Sequence, residues 1–363
     1  MSLYLNPSAR SYCRRNEVDP AVENFHKQLP DYAETTLHSL PGLAKELGVA
    51  YVLMKDESDR FGLPSFKVLG ASWGVFRAVA AKVGAPLTAS LQELGRLANE
   101  WGIRLITCSD GNWGRAVARV ARYMGIPVTV YLPGNIDEAT RKRIASEDAA
   151  VEIVNGTYDD AVQTVIRKGD AGEGLLVMDH SWPGFHDIPT WVVEGYSTLL
   201  SEVDRQVLSV AGTRATHAIA GVGVGSWAES VVRHYKSESE EPRTTVITVE
   251  ADTAACLQTS LMAGKMTTVE TGDTIMCGFN CGTVSEVAWP YLRDGVDVSI
   301  TVTDREADQA TKYINEHGIN GGPCGAATLA ALRKLIGVKE VGLQADSVVV
   351  LFCTERSREY VLA

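Results

Sequence analysis

The sequence predicts an α/β protein of two lobes, each a mostly parallel sheet flanked by helices. Three observations carry that expectation. Apolar, strand-like runs alternate with segments of helical periodicity along much of the chain. Several of these runs end in turns rich in Gly, Asn or Asp that lead straight into a helix. The chain also has 363 residues, 45% of them hydrophobic, which is more than one core comfortably encloses.

Each element follows from its residues. Residues 104–108 (RLITC) read as a buried strand, and Ser109-Asp110-Gly111-Asn112-Trp113-Gly114 turns it into a helix. In that helix Val117, Val120, Ala121 and Met124 recur at helical spacing, and Arg115, Arg119 and Arg122 fall on the other face. Gly125 ends it. A strand over 126–132, a break at Pro133-Gly134-Asn135, a helix carrying Arg141, Lys142 and Arg143, and a strand over 151–154 follow. Asn155-Gly156-Thr157 then opens another helix. Strand and helix repetition of this kind implies a parallel sheet covered on both faces. The pattern resumes after about residue 195, with strands at 217–220, 245–250 and 347–352. Ser237-Glu238-Ser239-Glu240-Glu241-Pro242 is a polar connection between elements. No internal repeat is present.

The bulk numbers exclude some classes. A net charge of −11 and no basic stripe argue against nucleic acid. The opening residues lack a basic segment followed by an apolar run, so no secretory leader is expected, and no apolar stretch is long enough to span a bilayer. Seven scattered cysteines fit reduced thiols, and so a cytoplasmic setting, better than a disulfide framework. Cys277 and Cys281 form a CxxxC pair, but with no His or second pair near it no metal site is expected.

Lys67 is the first candidate for chemistry. It lies between Phe66 and Val68-Leu69, after the charged stretch Lys55-Asp56-Glu57-Ser58-Asp59-Arg60. A lysine in an apolar pocket gives up its proton more easily and suits Schiff-base chemistry. A surface lysine at a helix start is the plainer alternative. Gly221-Val222-Gly223-Val224-Gly225-Ser226 joins a strand to a helix, where free N–H groups attract phosphate. It matches neither the dinucleotide fingerprint nor the P-loop, and a tight packing turn explains it equally well. Glu250, ending the next strand, resembles a ribose-binding acid. In the 109–114 turn, Asp110 is a potential general base or a plain helix cap, and Asn112 can donate to a phenolic oxygen. Asp179 follows the apolar run 175–177, where it is either a cleft acid or an ordinary loop acid. Thr354 ends the last strand, where its hydroxyl can face a ring nitrogen. His180 and His186 are given no role. Trp182, Trp191 and Tyr196 read as core or interface.

The Ser-Phe-Lys motif, the Ser-x-Gly-Asn turn and the Gly-rich loop, in this order, resemble the fold type II pyridoxal-phosphate enzymes (tryptophan synthase β-like). Over almost the whole chain the sequence is similar to the diaminopropionate ammonia-lyase family. That likeness rests on Asn6-Pro7-Ser8-Ala9-Arg10, on 55–63 followed by Phe66-Lys67-Val68-Leu69-Gly70, and on Asp110-Gly111-Asn112. It rests also on Ile188-Pro189-Thr190-Trp191 with Gly195-Tyr196, and on Thr274-Ile275-Met276 with Cys281-Gly282.

The resemblance implies pyridoxal 5'-phosphate as cofactor, with Lys67 as the Schiff-base lysine. Gly221, Gly223, Gly225 and Ser226 would hold the phosphate, Asn112 the phenolic oxygen and Thr354 the pyridine nitrogen. Asp110 and Asp179 would be the acid–base carboxylates. The implied reaction is elimination of ammonia from 2,3-diaminopropionate, giving pyruvate, in a cytoplasmic homodimer acting on a small amino acid. The implied lobes are a large cofactor-binding domain, 1–70 with 196–363, and a small substrate-closing domain, 71–195. The alternatives are elimination or β-replacement on another amino acid, as in serine/threonine dehydratase or cysteine synthase, or a non-catalytic binding protein on the same fold. The chain departs from the family at Trp113, where His is expected, at Pro64-Ser65, at Thr283, and after Thr354-Glu355. These departures bear on the substrate and the fate of the product.

Overall fold

The computed structural model describes residues 3–14, 19–109, 111–134, 136–237 and 243–362. Asp110, Asn135 and the 238–242 part of the polar connection lie outside the described residues. Among the described residues eleven strands run β1 (Leu3–Leu5), β2 (Leu37–Ser39), β3 (Tyr51–Asp56), β4 (Leu105–Cys108), β5 (Val128–Pro133), β6 (Ala150–Val154), β7 (Leu175–Leu176), β8 (His217–Gly221), β9 (Thr245–Ala251), β10 (Val298–Val302) and β11 (Val348–Cys353). Every strand expected from the apolar runs is present, within two residues at each end.

Two compact units divide the chain: Met1–Pro20, Ala33–Phe66 and Tyr196–Ala363 form the first, Ala21–Tyr32 and Lys67–Gly195 the second. The sequence placed 21–32 with the large domain. Contacts place it with the second unit, because Phe25 packs on Trp73 and Phe76 and His26 Nε2 lies 3.0 Å from both Leu69 O and Ser72 Oγ.

The first unit holds a seven-stranded sheet in the order β1-β10-β9-β8-β11-β3-β2. Its five inner strands are parallel, and antiparallel β1 and β2 close the edges. β8 (HAIAG) and β11 (VVVLFC) are buried at every residue, as expected of parallel strands covered on both faces. The second unit holds an all-parallel sheet, β6-β5-β4-β7. β4 is fully buried at its centre, and β6 is a half-exposed edge.

Small residues set the packing in the second unit. Helix Lys67–Val83 crosses helix Asp187–Gly195 so closely that a Cβ on Gly195 would come 2.6 Å from Leu69 O, and one on Gly74 2.8 Å from a Val192 methyl. Helix Asn112–Met124 ends at Gly125 in the left-handed region, and Thr157 with Asp160 forms a capping box for helix Tyr158–Asp170, both as the sequence anticipates. The arginine face of helix Asn112–Met124 converges on one carboxylate. Arg115, Arg119 and Arg122 close on the buried Glu147 at 3.1, 2.5 and 3.2 Å.

In the first unit the loop that leads to Lys67 is anchored by buried charge. Arg60 pairs with Glu57 at 2.6 Å and with Glu202 at 2.7 Å, and Lys55 pairs with Glu202 at 2.8 Å, all with fully buried side chains. The C-terminal segment grips the same loop. Ser65 bridges Glu355, Arg356 N donates to Pro64 O, and Arg356 Nε donates to Ser58 O.

Candidate active site

Lys67 is the first residue of its helix, where Val68 and Leu69 on the following positions are fully buried. Apolar walls do not surround its amine. Nζ lies 2.5 Å from Asp179 Oδ2, and the Trp113 ring is 5.9 Å away. Asp179 sits in the segment just past β7 and is almost fully buried. Burial alone would push its carboxyl up. The Lys67 charge and the neighbouring His180 outweigh that and hold it well below the usual carboxylate range. His180 Nδ1 lies 3.8 Å from Asp179 Oδ1, too far for a hydrogen bond, so its influence there is electrostatic.

The turn after β4 is organised by Ser109. Its Oγ accepts from Gly111 N at 2.9 Å and Gly114 N at 2.8 Å, tying the chain to the helix start. The N-cap is Gly111, without a side-chain cap bond, and Ser109 supplies an acceptor to the helix start from two positions upstream. Asp110 itself lies outside the described residues. Asn112 is the first helical residue, half-buried, and its side-chain amide has no partner among the described residues. Trp113 is buried, and its indole N–H donates to Thr107 Oγ1 at 2.9 Å. Gly114, the next residue, lies against β5, where a Cβ would come 2.7 Å from Val130.

In the first unit the Gly-rich loop runs from β8 into helix Ser226–Tyr235. Gly225 is the N-cap with φ +98°, and no side chain caps the helix. Such an end offers backbone N–H groups to an anion. Packing also demands the glycines. A Cβ on Gly221 would lie 2.2 Å from the Phe279 ring, and one on Gly223 2.4 Å from Gly278 O. Ser226 is buried at the first helical position. Thr354, one residue past β11, is buried, and its hydroxyl has no partner among the described residues.

Glu250 is not a ribose acid. Its carboxylate accepts from Leu257 N at 2.7 Å and Gln258 N at 2.8 Å, capping helix Cys256–Ala263. Complete burial pushes it up to about 7 in spite of those two bonds. Tyr196 is core, between Phe66 and Trp227. Trp182 stacks on Phe185, and Trp191 lies beside the Arg77 guanidinium.

Each unit therefore presents donors that suit pyridoxal phosphate. They are an uncapped helix end for the phosphate, a lone hydroxyl for the ring nitrogen, a lone amide for the phenolic oxygen, and a lysine amine. Sequence reasoning missed three supporting groups: Ser109 as the organiser of the turn, the Lys55–Glu57–Arg60–Glu202 cluster, and His180 beside Asp179. Only the second left a signal, as three charged residues crowded at the end of an apolar strand.

The comparisons with known proteins agree with that donor set. A family model described as pyridoxal-phosphate dependent enzyme matches residues 29–354, which defines the class. A Salmonella typhimurium diaminopropionate ammonia-lyase is 36% identical over 79% of this chain and 73% of its own length. The Escherichia coli K12 enzyme of that name is 30% identical over 92% and 87%. This chain belongs to the diaminopropionate ammonia-lyase family of pyridoxal-phosphate-dependent enzymes. The holo structure of the E. coli enzyme superposes with a TM-score of 0.88 at 27% identity, covering 98% of this chain and 93% of that one. The same enzyme has been solved with an aminoacrylate-PLP azomethine reaction intermediate, at a TM-score of 0.85 and 28% identity. A threonine deaminase at 22% identity and a TM-score of 0.75 shares the fold.

Proposed function

We propose that this chain eliminates ammonia from 2,3-diaminopropionate, giving pyruvate and ammonia, with pyridoxal 5'-phosphate as cofactor. The observation that carries the reading is the Lys67–Asp179 pair at 2.5 Å, a lysine and a buried carboxylate side by side in a chain of this family. Lys67 is the residue that would hold the cofactor. Gly221, Gly223, Gly225 and Ser226 would take its phosphate, Asn112 its phenolic oxygen and Thr354 its ring nitrogen. Bound pyridoxal phosphate supplies the electron sink for a carbanion at the substrate α-carbon.

The chain's own residues move the protons. Lys67, once freed by the substrate amine, or one of the two aspartates removes the α-proton. Asp110 or Asp179 delivers a proton to the departing β-amine. The released enamine then hydrolyses to pyruvate and a second ammonia. Positioned acids and bases of this kind contribute about 10²–10⁴-fold in rate. The reading gives cofactor holding to 1–20 with 33–66 and 196–363, joined by Lys67 from the second unit, and substrate closure to 71–195, in a cytoplasmic homodimer. No helix among the described residues is long and apolar enough to cross a membrane.

Elimination from serine or threonine is the second reading, kept because Trp113 departs from the family pattern. A buried indole 5.9 Å from the Lys67 amine replaces the His expected there and changes what stands beside the reacting lysine. A bovine L-serine dehydratase/L-threonine deaminase is 27% identical over 89% of this chain.

The test is an absorbance spectrum followed by each isomer of 2,3-diaminopropionate with coupled pyruvate detection. A yellow protein that turns over diaminopropionate supports the reading, and turnover of both isomers supports two aspartates. Turnover of serine or threonine alone transfers the assignment to the second reading. A protein that stays colourless with added cofactor rejects both.

A further inference from the structure

His180 was given no role by its sequence context. Its Nδ1 is buried with no hydrogen-bond partner, yet lies 3.8 Å from Asp179 Oδ1. A shift of roughly 1 Å brings that pair within hydrogen-bond range. The ring is braced from behind. It sits 5.3 Å from the Trp182 ring, which stacks on Phe185 at 4.4 Å, and the backbone of those two residues closes a short antiparallel bridge. The other carboxylate oxygen, Oδ2, is taken by Lys67.

These two contacts point to a division of labour that rests on the reading of Lys67 as the cofactor lysine and Asp179 as an acid–base group. An amine engaged by the cofactor cannot also serve as counter-ion to Asp179. A buried carboxylate that loses its cation is driven toward the protonated form and stops being a base. We propose that His180 is a positioning residue for Asp179: when Lys67 turns to the cofactor, the Nδ1–H of His180 donates to Oδ1 and keeps the carboxylate oriented and ionised.

Among the described residues, the charged groups that lead in holding Asp179 ionised are Lys67, from helix Lys67–Val83, and His180 itself. The cluster behind the same loop adds the Tyr131 phenol, pushed up by burial, together with Tyr158 and Cys108. Asp110 lies outside the described residues.

Three variants test the assignment. An Asn side chain places an N–H donor close to where Nδ1 stands, Gln places one nearer the Nε2 position, and Leu offers none. In the holoenzyme, His180→Leu and His180→Gln are expected to raise the acidic limb of the kcat/KM profile by about one pH unit. Loss of a merely structural side chain would lower the whole profile without moving its midpoint. His180→Asn is expected to return the limb to the wild-type position.

The second readout needs no turnover. In a Lys67→Ala background, the carboxyl-¹³C resonance of Asp179, assigned by its absence in Asp179→Asn, is titrated with His180 intact and with His180→Gln. The midpoint is expected to rise when the donor is removed. Equal midpoints in the two proteins would overturn the proposal, as would unchanged acidic limbs in all three variants. Full activity in Asp179→Asn would instead remove the acid–base reading, and the titration would still decide whether His180 supports the carboxylate.

Discussion

At the scale of single residues the site reduces to Lys67 and Asp179. Lys67→Ala is expected to abolish both the visible absorbance of a covalently held cofactor and turnover, read by a spectrum and by pyruvate release. Asp179→Asn is expected to keep the absorbance and lose about 10²–10⁴-fold in kcat/KM. Asp179 also ties stability to pH. Its carboxyl is held below the value it has in the unfolded chain, so its contribution is complete above the ordinary aspartate range, about pH 4. That contribution is lost as pH falls through the native value. The gap in thermal midpoint between wild type and Asp179→Asn, measured without cofactor, should be flat at neutral pH and close in acid. Lys67 was legible from its motif. Asp179 was legible as a candidate acid, but its pairing with Lys67 was not, because 112 residues separate the two in the chain.

At the scale of elements, turns decide where the functional groups stand. Ser109 accepts two backbone N–H groups at the start of helix Asn112–Met124. Ser109→Ala is expected to cost about 1 kcal/mol in urea unfolding, as loss of a helix cap does. The Gly-rich loop is tighter. A Cβ on Gly223 meets the Gly278 carbonyl, which is backbone and cannot swing aside. Gly223→Ala is expected to lower the melting temperature and weaken cofactor binding together, measured by thermal melts and cofactor titration. A glycine needed for phosphate alone would show the second effect without the first. The strands could be placed from their apolar runs because parallel strands buried on both faces leave a continuous hydrophobic signature. Which glycine meets which backbone could not, since Phe279 and Gly278 reach the loop through folding alone.

At the scale of the whole molecule, charge buried in the first unit holds the approach to Lys67. Glu202 is shared by Lys55 and Arg60 with no exposed side-chain surface at all three. Glu202→Gln leaves two buried cations facing Glu57 alone and is expected to cost about 3–5 kcal/mol, read from denaturant midpoints. That cost should be accompanied by a lower cofactor occupancy, because the loop between Arg60 and Phe66 runs directly into the lysine. The cluster assembles residues from β3, the loop after it and the helix Ser197–Ala211, far apart in the chain, so the charged stretch 55–60 was legible but its partner Glu202 was not.

By itself the sequence determined the α/β class and the positions of seven of the eleven described strands, because each is written in local spacing and residue type, and its motifs, taken in order, carried the resemblance to the family. The tertiary structure decided what those residues face. It set Asp179 against Lys67 and His180 behind Asp179. It turned Glu250 into a helix cap, brought the three arginines of one helix face onto Glu147, and moved residues 21–32 into the second unit. The physical reason is common to all of them. Burial and pairing depend on distances across the fold, and a buried charge takes its meaning from the partner that folding brings to it.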